Sequence, residues 1–222
     1  GDDNLVVRAA RLLQDHSGTS RGVTIDLWKR IPVSAGLAGG STDAAATLVA
    51  LDRLWELGLA AEELLSLAAR LGSDVSFFVR GVPAAICRGR GEEIHPVERP
   101  LELSVVVSRP ASGLSTAEVY RHCRVSSRPV SAQPLVDSLA DGRLAAASRF
   151  LHNSLQQTAT TLNSEVTDLI TRLDRQPVVA SAMTGSGTAC FGLCSSDRLA
   201  RRISRRLCGT GVPWATAVRT GV

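Results

Sequence analysis

Hydrophobic and polar positions along the chain switch repeatedly between two periods. Leu5, Ala9, Leu12 and Leu13 recur at helical spacing, preceded by Asp2, Asp3 and Asn4, any of which can cap a helix. Val23, Ile25 and Leu27 then alternate with Thr24, Asp26 and Trp28, the period-two pattern of a half-buried strand. Beyond a glycine-rich stretch, Ala44, Leu48, Leu51 and Trp55 return to helical spacing until Gly58, and Leu64, Leu67, Ala68 and Leu71 mark a second helix over about 61–71. Gly72-Ser73-Asp74 interrupts it. Strands are predicted at about 75–80, 84–88, 92–97 and 101–107, with turns at Gly81-Val82-Pro83 and Gly89-Arg90-Gly91. A short helix follows near 115–120, then a polar, proline-bearing loop or linker over 126–134. Helices are expected at 136–151 and 155–173, strands at 178–183 and 189–194, then an arginine-rich helix and a last strand near 214–218. Helices and strands mix without regular βα alternation, so the predicted fold class is α+β.

The stretch from Ile31 to Ala45 carries the sharpest chemistry. A strand-like pattern ends at Pro32, glycines follow at 36, 39 and 40, and a long apolar-periodic helix opens at Ser41, Thr42 and Asp43. Glycines let backbone N–H groups approach a ligand, and the unpaired N–H groups and positive dipole end of the helix favour an anion such as phosphate. The spacing is neither a Walker A loop nor G-x-G-x-x-G. Ser41 and Thr42 are expected to cap the helix, and their hydroxyls could also meet phosphate or Mg²⁺. Asp43 is expected to complement the dipole. The alternative is a simple strand-to-helix turn.

Two further stretches gain meaning only beside that one. Asp74 stands between a helix and an apolar run predicted as a strand, where a fixed and partly desolvated carboxylate could accept a hydroxyl proton during phosphoryl transfer; alone, it is a turn or cap residue. Thr184-Gly185-Ser186-Gly187 reads as a hairpin turn, and as a second backbone approach to ligand only if something brings it to the glycine loop.

Composition narrows the class. The chain of 222 residues is 44% apolar and 21% charged, ordinary for a folded domain, and has no apolar run approaching the ~18 residues of a membrane span. It opens Gly1-Asp2-Asp3-Asn4, with no secretory pattern, which predicts a cytoplasmic protein without a membrane partner. The net charge of +4 is concentrated in Arg198, Arg201, Arg202, Arg205 and Arg206, on a helix whose apolar positions are Leu199, Ile203 and Leu207. Without interleaved aromatics this reads as a solvated face, so no nucleic-acid partner is expected. The 5 cysteines are scattered and form no C-x-x-C pair, predicting reduced core thiols. The 4 histidines lack metal-ligand spacing.

Taken in order, these motifs resemble the signatures of the GHMP kinases, named for galactose, homoserine, mevalonate and phosphomevalonate kinases. Asn4 to Ala10, Gly39-Gly40-Ser41-Thr42-Asp43-Ala44-Ala45, Leu71-Gly72-Ser73-Asp74-Val75 with Phe77-Phe78, Ser115 to Tyr120, and Met183 to Thr188 fall in that family's sequence, spanning nearly the whole chain. The resemblance implies a two-domain fold: an N-terminal part like domain 2 of ribosomal protein S5, truncated here, over 1–100, and a ferredoxin-like α/β C-terminal domain over 101–222. It implies that Pro32, Gly36, Leu37, Ala38, Gly39, Gly40, Ser41 and Thr42 bind ATP, that Asp74 is the catalytic base, and that Thr116, Tyr120, Gly185 and Ser186 bind the substrate. The nearest resemblance is to members that phosphorylate the 2-hydroxyl of 4-diphosphocytidyl-2-C-methyl-D-erythritol in non-mevalonate isoprenoid precursor synthesis. ATP and Mg²⁺ are then the expected cofactors, with no side chain assigned as a protein ligand to the metal. Oligomeric state is left open.

Three departures from the family pattern keep alternatives in play. Ala38 replaces a usual glycine, which is tolerable if its φ is negative. Asn153-Ser154-Leu155-Gln156 replaces a more acidic segment. The family's strand-rich N-terminal portion, with a lysine near the catalytic aspartate, is expected to be missing, since Lys29 does not align with that lysine. A kinase for another small alcohol, or an inactive nucleotide-binding fragment, is the alternative reading.

Overall fold

The computed structural model describes residues 1–99, 101–124 and 128–221. The chain divides into two compact units, one of Gly1–Val33 with Ala38–Val97 and the other of Ser34–Leu37 with Glu98–Val222. The glycine-rich stretch is thus shared between them. The predicted 126–134 loop begins in residues outside those described; its remainder, from Arg128, leads without regular structure into a helix at Gln133.

The first unit is mainly helical. Helix α1 (Leu5–Ser17) starts where expected: the Asn4 side chain accepts a hydrogen bond from the Val6 amide at 3.1 Å. Helices α2 (Gly39–Leu54) and α3 (Ala61–Leu71) follow, and the three bury Ala9, Leu13, Leu48, Leu51, Leu67 and Leu71 in one core. The run Val75–Arg80, predicted as a strand, is instead a short helix, α4. Its β-prone residues are overridden by packing, because one helical turn puts Val75 into the core while Gly81, at φ 67°, ends it. Strands β1 (Ala85–Arg88) and β2 (Glu93–Pro96) then pair antiparallel.

A second correction concerns Val23, Ile25 and Leu27. They belong to an extended segment with no ladder partner among the described residues, and their side chains are 36–40% exposed, with Trp28 at 86%. Alternation supplies two faces, but a strand also needs a neighbour to hydrogen-bond.

The second unit is a sheet with helices on both faces. Strands β3 (Ser104–Arg109), β4 (Ala180–Met183), β5 (Cys190–Cys194) and β6 (Trp214–Arg219) form an antiparallel sheet in the order β4-β5-β3-β6. Along β3, Val106 faces one core and Val105 and Val107 the other, as a period of two requires. Helices α9 (Ser164–Asp174) and α10 (Asp197–Gly209) cover the Val106 face, burying Leu169, Leu173, Ile203 and Leu207. The other face packs against Ala35, Leu139 and Leu144.

Between these elements lie α5 (Thr116–His122), α6 (Gln133–Ala140), α7 (Leu144–Ala147) with a 3-10 turn over Ser148–Phe150, and α8 (Gln156–Leu162). Both long predicted helices are therefore split. Gly142, at φ 71°, separates α6 from α7. Asn163 adopts an extended conformation that closes α8, and its side chain accepts the Glu165 amide at 2.9 Å to open α9.

The five arginines of α10 are all exposed, opposite buried Ala200, Ile203 and Leu207. Cys190 and Cys194 are buried free thiols, but Cys87 and Cys208 are exposed, contrary to the core reading, because they occupy outward positions of β1 and α10. Among the described residues no helix is long and apolar enough to cross a membrane.

Candidate active site

In the first unit the candidate site residues of the glycine stretch lie at the opening of α2. Ala38 occupies the N-cap position at φ 51°, in the left-handed region, and offers no side-chain acceptor. The condition under which alanine is tolerated there, a negative φ, is not met: the turn into the helix requires the conformation that glycine adopts without cost. Ser41 and Thr42 are not caps either. They lie in the first turn, where the Thr42 amide and hydroxyl both donate to the Ala38 carbonyl, at 2.9 and 3.1 Å. That amide makes the first intrahelical bond, so the N–H groups of Gly39, Gly40 and Ser41 precede the ladder and remain available to an anion. Close packing explains the glycine at 39, since a Cβ there would lie 3.0 Å from the Ile31 side chain.

Asp43 does not lie at the dipole end as expected; its carboxylate is paired with Lys29. Asp74 sits at the N-terminal boundary of α4 with an exposed side chain and no capping hydrogen bond. The expected strand context and partial desolvation are both corrected, since the segment after it turns into a helix. Asp74 nonetheless acts on its surroundings. The Cys87 thiol is pushed up above its ordinary range by burial and by the negative charge of Asp74.

In the second unit the first half of the glycine stretch meets the Thr184–Gly187 turn. The Ala189 amide donates to the Ala35 carbonyl at 2.9 Å, and the Thr184 hydroxyl donates to the Gly36 carbonyl at 3.2 Å. Gly36 has φ 70°, and a Cβ there would fall 2.8 Å from the Gly187 nitrogen and closer still to the Thr184 carbonyl oxygen. Gly185, at φ 54°, has the reciprocal constraint, its Cβ position lying 2.9 Å from the Gly36 carbonyl oxygen. The turn therefore meets the condition set for it as a second backbone surface beside the glycine stretch.

The same turn reaches α5. Ser186, 7% exposed, has its hydroxyl 2.9 Å from that of Thr116, while Tyr120 on the same helix is 62% exposed. Ser115 caps α5 by accepting the Glu118 amide at 3.4 Å. Pro32 is half-buried in the first unit and Leu37 packs with the Ala35 core of the second.

The sequence reading missed how this turn is held, noting Asn153 to Gln156 only as a departure from the family pattern. Asn153 donates from Nδ2 to the carbonyls of Met183 and Gly185, at 2.8 and 2.9 Å, and Gln156 Oε1 accepts the Met183 amide at 2.8 Å. Thr188 donates its hydroxyl to the Ser112 carbonyl at 3.0 Å. Ser112 in turn donates its hydroxyl and amide to Glu165, at 2.7 and 3.1 Å, which hold that carboxyl below the usual range. An Asn three residues before a helix is a local signal for a bend, but its distant carbonyl partners leave no local trace.

Comparison with known proteins agrees with this arrangement. Residues 4–82 match the GHMP kinases N terminal domain, and residues 135–212 match the GHMP kinases C terminal family. A 4-diphosphocytidyl-2-C-methyl-D-erythritol kinase of Geobacillus sp. is 42% identical over 210 residues, covering 93% of this chain and 71% of the relative. The kinase of the same name from Nocardioides sp. is 44% identical over 215 residues, covering 95% and 72%. The crystal structure of a 4-(cytidine 5'-diphospho)-2C-methyl-D-erythritol kinase superposes with a TM-score of 0.85 at 36% identity, over 100% of this chain and 80% of that one. Homoserine kinase from Cytophaga hutchinsonii shares the fold, with a TM-score of 0.72 at 16% identity over 100% of this chain and 76% of that one. The chain belongs to the GHMP kinase family.

Proposed function

We propose that the chain transfers the γ-phosphoryl group of ATP to the 2-hydroxyl of 4-diphosphocytidyl-2-C-methyl-D-erythritol, in the cytoplasm, as a step of non-mevalonate isoprenoid precursor synthesis. The observation that carries this reading is the seat of Gly36 on the Thr184–Gly187 turn, whose Ser186 also meets Thr116. The glycine stretch and the hydroxyl-bearing helix are thereby tied to one turn, and relatives named for this reaction are 42% and 44% identical.

In this reading residues 1–100 form the ATP-binding domain and residues 101–222 the C-terminal domain. Pro32, Gly36, Leu37, Ala38, Gly39, Gly40, Ser41 and Thr42 hold ATP, chiefly through backbone N–H groups and the positive end of α2. Thr116 and Ser186 hydrogen-bond the substrate, Gly185 keeps the turn low enough for its approach, and the Tyr120 ring lies against the cytosine. Asp74 accepts the proton of the attacking hydroxyl. An exposed, unbonded carboxylate is free to take up that proton once substrate covers it, and most of the acceleration then comes from positioning and from charge held against the phosphates.

Among the described residues no three His, Cys, Asp or Glu side chains cluster as a metal cage. A Mg²⁺ carried on ATP phosphates needs only one or two protein oxygens, and the Ser41 and Thr42 hydroxyls fit that need. The Thr42 proton is committed to Ala38, which leaves its oxygen lone pairs free to accept. When bound, the ion neutralises phosphate charge.

The chain spans 71% of the length of the Geobacillus relative. ADP release would be measured with the chain and with the chain joined to the N-terminal portion of the Geobacillus relative. Release that depends on the cytidine-bearing alcohol, in either form, supports the reading. Equal release with a cytidine-free alcohol would favour a kinase for another small alcohol.

A further inference from the structure

The Thr184–Gly187 turn is held from behind by two side chains to which nothing above assigns a role in the reaction, and we infer that Asn153 and Gln156 are positioning residues for it. The inference rests on the kinase reading, because it concerns how that reaction's binding surface is kept in place.

The geometry of Asn153 is fully determined. Its Oδ1 accepts the Leu155 amide at 2.9 Å, and its Nδ2 donates to the carbonyls of Met183 at 2.8 Å and Gly185 at 2.9 Å. One donor face and one acceptor face are both in use, so the carboxamide cannot be flipped without facing two carbonyl oxygens with a third. Gln156, the first residue of α8, accepts the Met183 amide at 2.8 Å. The end of β4 and the start of the turn are thus gripped at three polar points, the Met183 amide and carbonyl and the Gly185 carbonyl, from the bend around Asn153 and the start of α8.

On its other side the turn makes the contacts that matter to binding. The Thr184 hydroxyl holds the Gly36 carbonyl at 3.2 Å, and the Ser186 hydroxyl lies 2.9 Å from that of Thr116. Without Asn153, the Gly185 carbonyl loses its anchor, and the displacement is passed to Ser186 and Gly36 together. Misplacement by ~1 Å can cost on the order of 100-fold in rate, so a smaller shift is a tenfold matter.

The two side chains differ in what they must supply. Asn153 must donate, and a carboxylate at that position would face two carbonyl oxygens. Gln156 must only accept, which a carboxylate does equally well. Asn153→Asp is therefore damaging and Gln156→Glu tolerated, although both exchange an amide for an acid.

Both variants, with Asn153→Ala as an uncharged loss of the donor, would be studied by steady-state kinetics, thermal melting and amide hydrogen exchange across 184–189. Asn153→Asp and Asn153→Ala are expected to raise KM for both ATP and the alcohol about tenfold and to speed exchange of the turn amides at least tenfold, while Gln156→Glu stays within about threefold of the parent in each. A purely structural role would lower the active fraction and the melting temperature at unchanged KM, and that result overturns the inference. So does a Gln156→Glu variant as impaired as Asn153→Asp. If the parent protein itself releases no substrate-dependent ADP, the kinase reading fails, and the exchange measurement then decides alone whether Asn153 fixes the turn.

Discussion

The Thr184 hydroxyl donates to the Gly36 carbonyl at 3.2 Å, across 148 residues of sequence. That bond fixes why both stretches are glycine-rich: the backbones approach so closely that neither Gly36 nor Gly185 has room for a Cβ. At Gly36 the left-handed φ of 70° adds a conformational demand to the steric one.

Gly36→Ala should therefore destabilise the protein by about 2–4 kcal/mol, combining ~1 kcal/mol of left-handed strain with ~1–3 kcal/mol of overpacking. Denaturant unfolding checks this through the shift in midpoint. A loss below ~1 kcal/mol would mean that the two backbones are free to separate.

Ala38 makes the opposite prediction. Its φ of 51° carries strain that glycine lacks, ~1–2 kcal/mol, while glycine loses ~0.4–1 kcal/mol through a looser unfolded chain. The strain is the larger effect, so Ala38→Gly should raise stability by roughly 0.5 kcal/mol. A drop in unfolding midpoint would contradict it.

Asp74→Asn removes the proposed proton acceptor without changing shape. Turnover should fall by ~100- to 10,000-fold, with ATP binding by calorimetry unchanged, since Asp74 makes no hydrogen bond that shapes α2. Retained turnover would reassign the proton to solvent or to the phosphate itself.

Acid should erase the contribution of Ser112 to stability. Its hydroxyl and amide hold the Glu165 pKa below the ordinary value of 4.5, so the ionised form is favoured in the folded state. A depressed folded pKa stabilises above the unfolded value and loses that effect as pH falls through the folded one. Ser112→Ala should then lower the melting temperature at pH 7, with the difference shrinking below about pH 4.5; a difference independent of pH would rule the pairing out.

The cysteines divide by burial. Burial pushes the Cys190 thiol up to about 12, so it stays protonated and unreactive in the native protein, whereas Cys87 and Cys208 are exposed. A thiol reagent at pH 8 should label Cys208 first, Cys87 more slowly because burial and the Asp74 charge push its thiol up, and Cys190 only on unfolding, as peptide mass mapping would read. Native labelling of Cys190 would contradict the packing of β5.

Much of the chain was legible from local pattern. The Asn4 cap, the helix over Ala61–Leu71 and the strands of the second sheet follow from periodicity and turn residues alone. The misreadings share a cause in tertiary context. Val75–Arg80 has strand-like residues but one turn of helix buries Val75, and Val23 to Leu27 alternate without a neighbour to pair with. The left-handed Ala38 was invisible because alanine does not advertise that conformation. At the site, the glycine stretch announced itself, but Asp74 and Thr116 acquired roles only through family resemblance. The hold of Asn153 and Gln156 on the turn had no local signature, since the groups they bond there lie 27–32 residues away.

The most direct measurement is phosphorus NMR of the reaction of ATP with 4-diphosphocytidyl-2-C-methyl-D-erythritol, using the chain both alone and joined to a relative's N-terminal portion. A phosphomonoester at the 2-position should appear in step with ADP, and Asp74→Asn should slow both together. ADP no faster than in the absence of the alcohol, in both forms of the protein, would contradict the account.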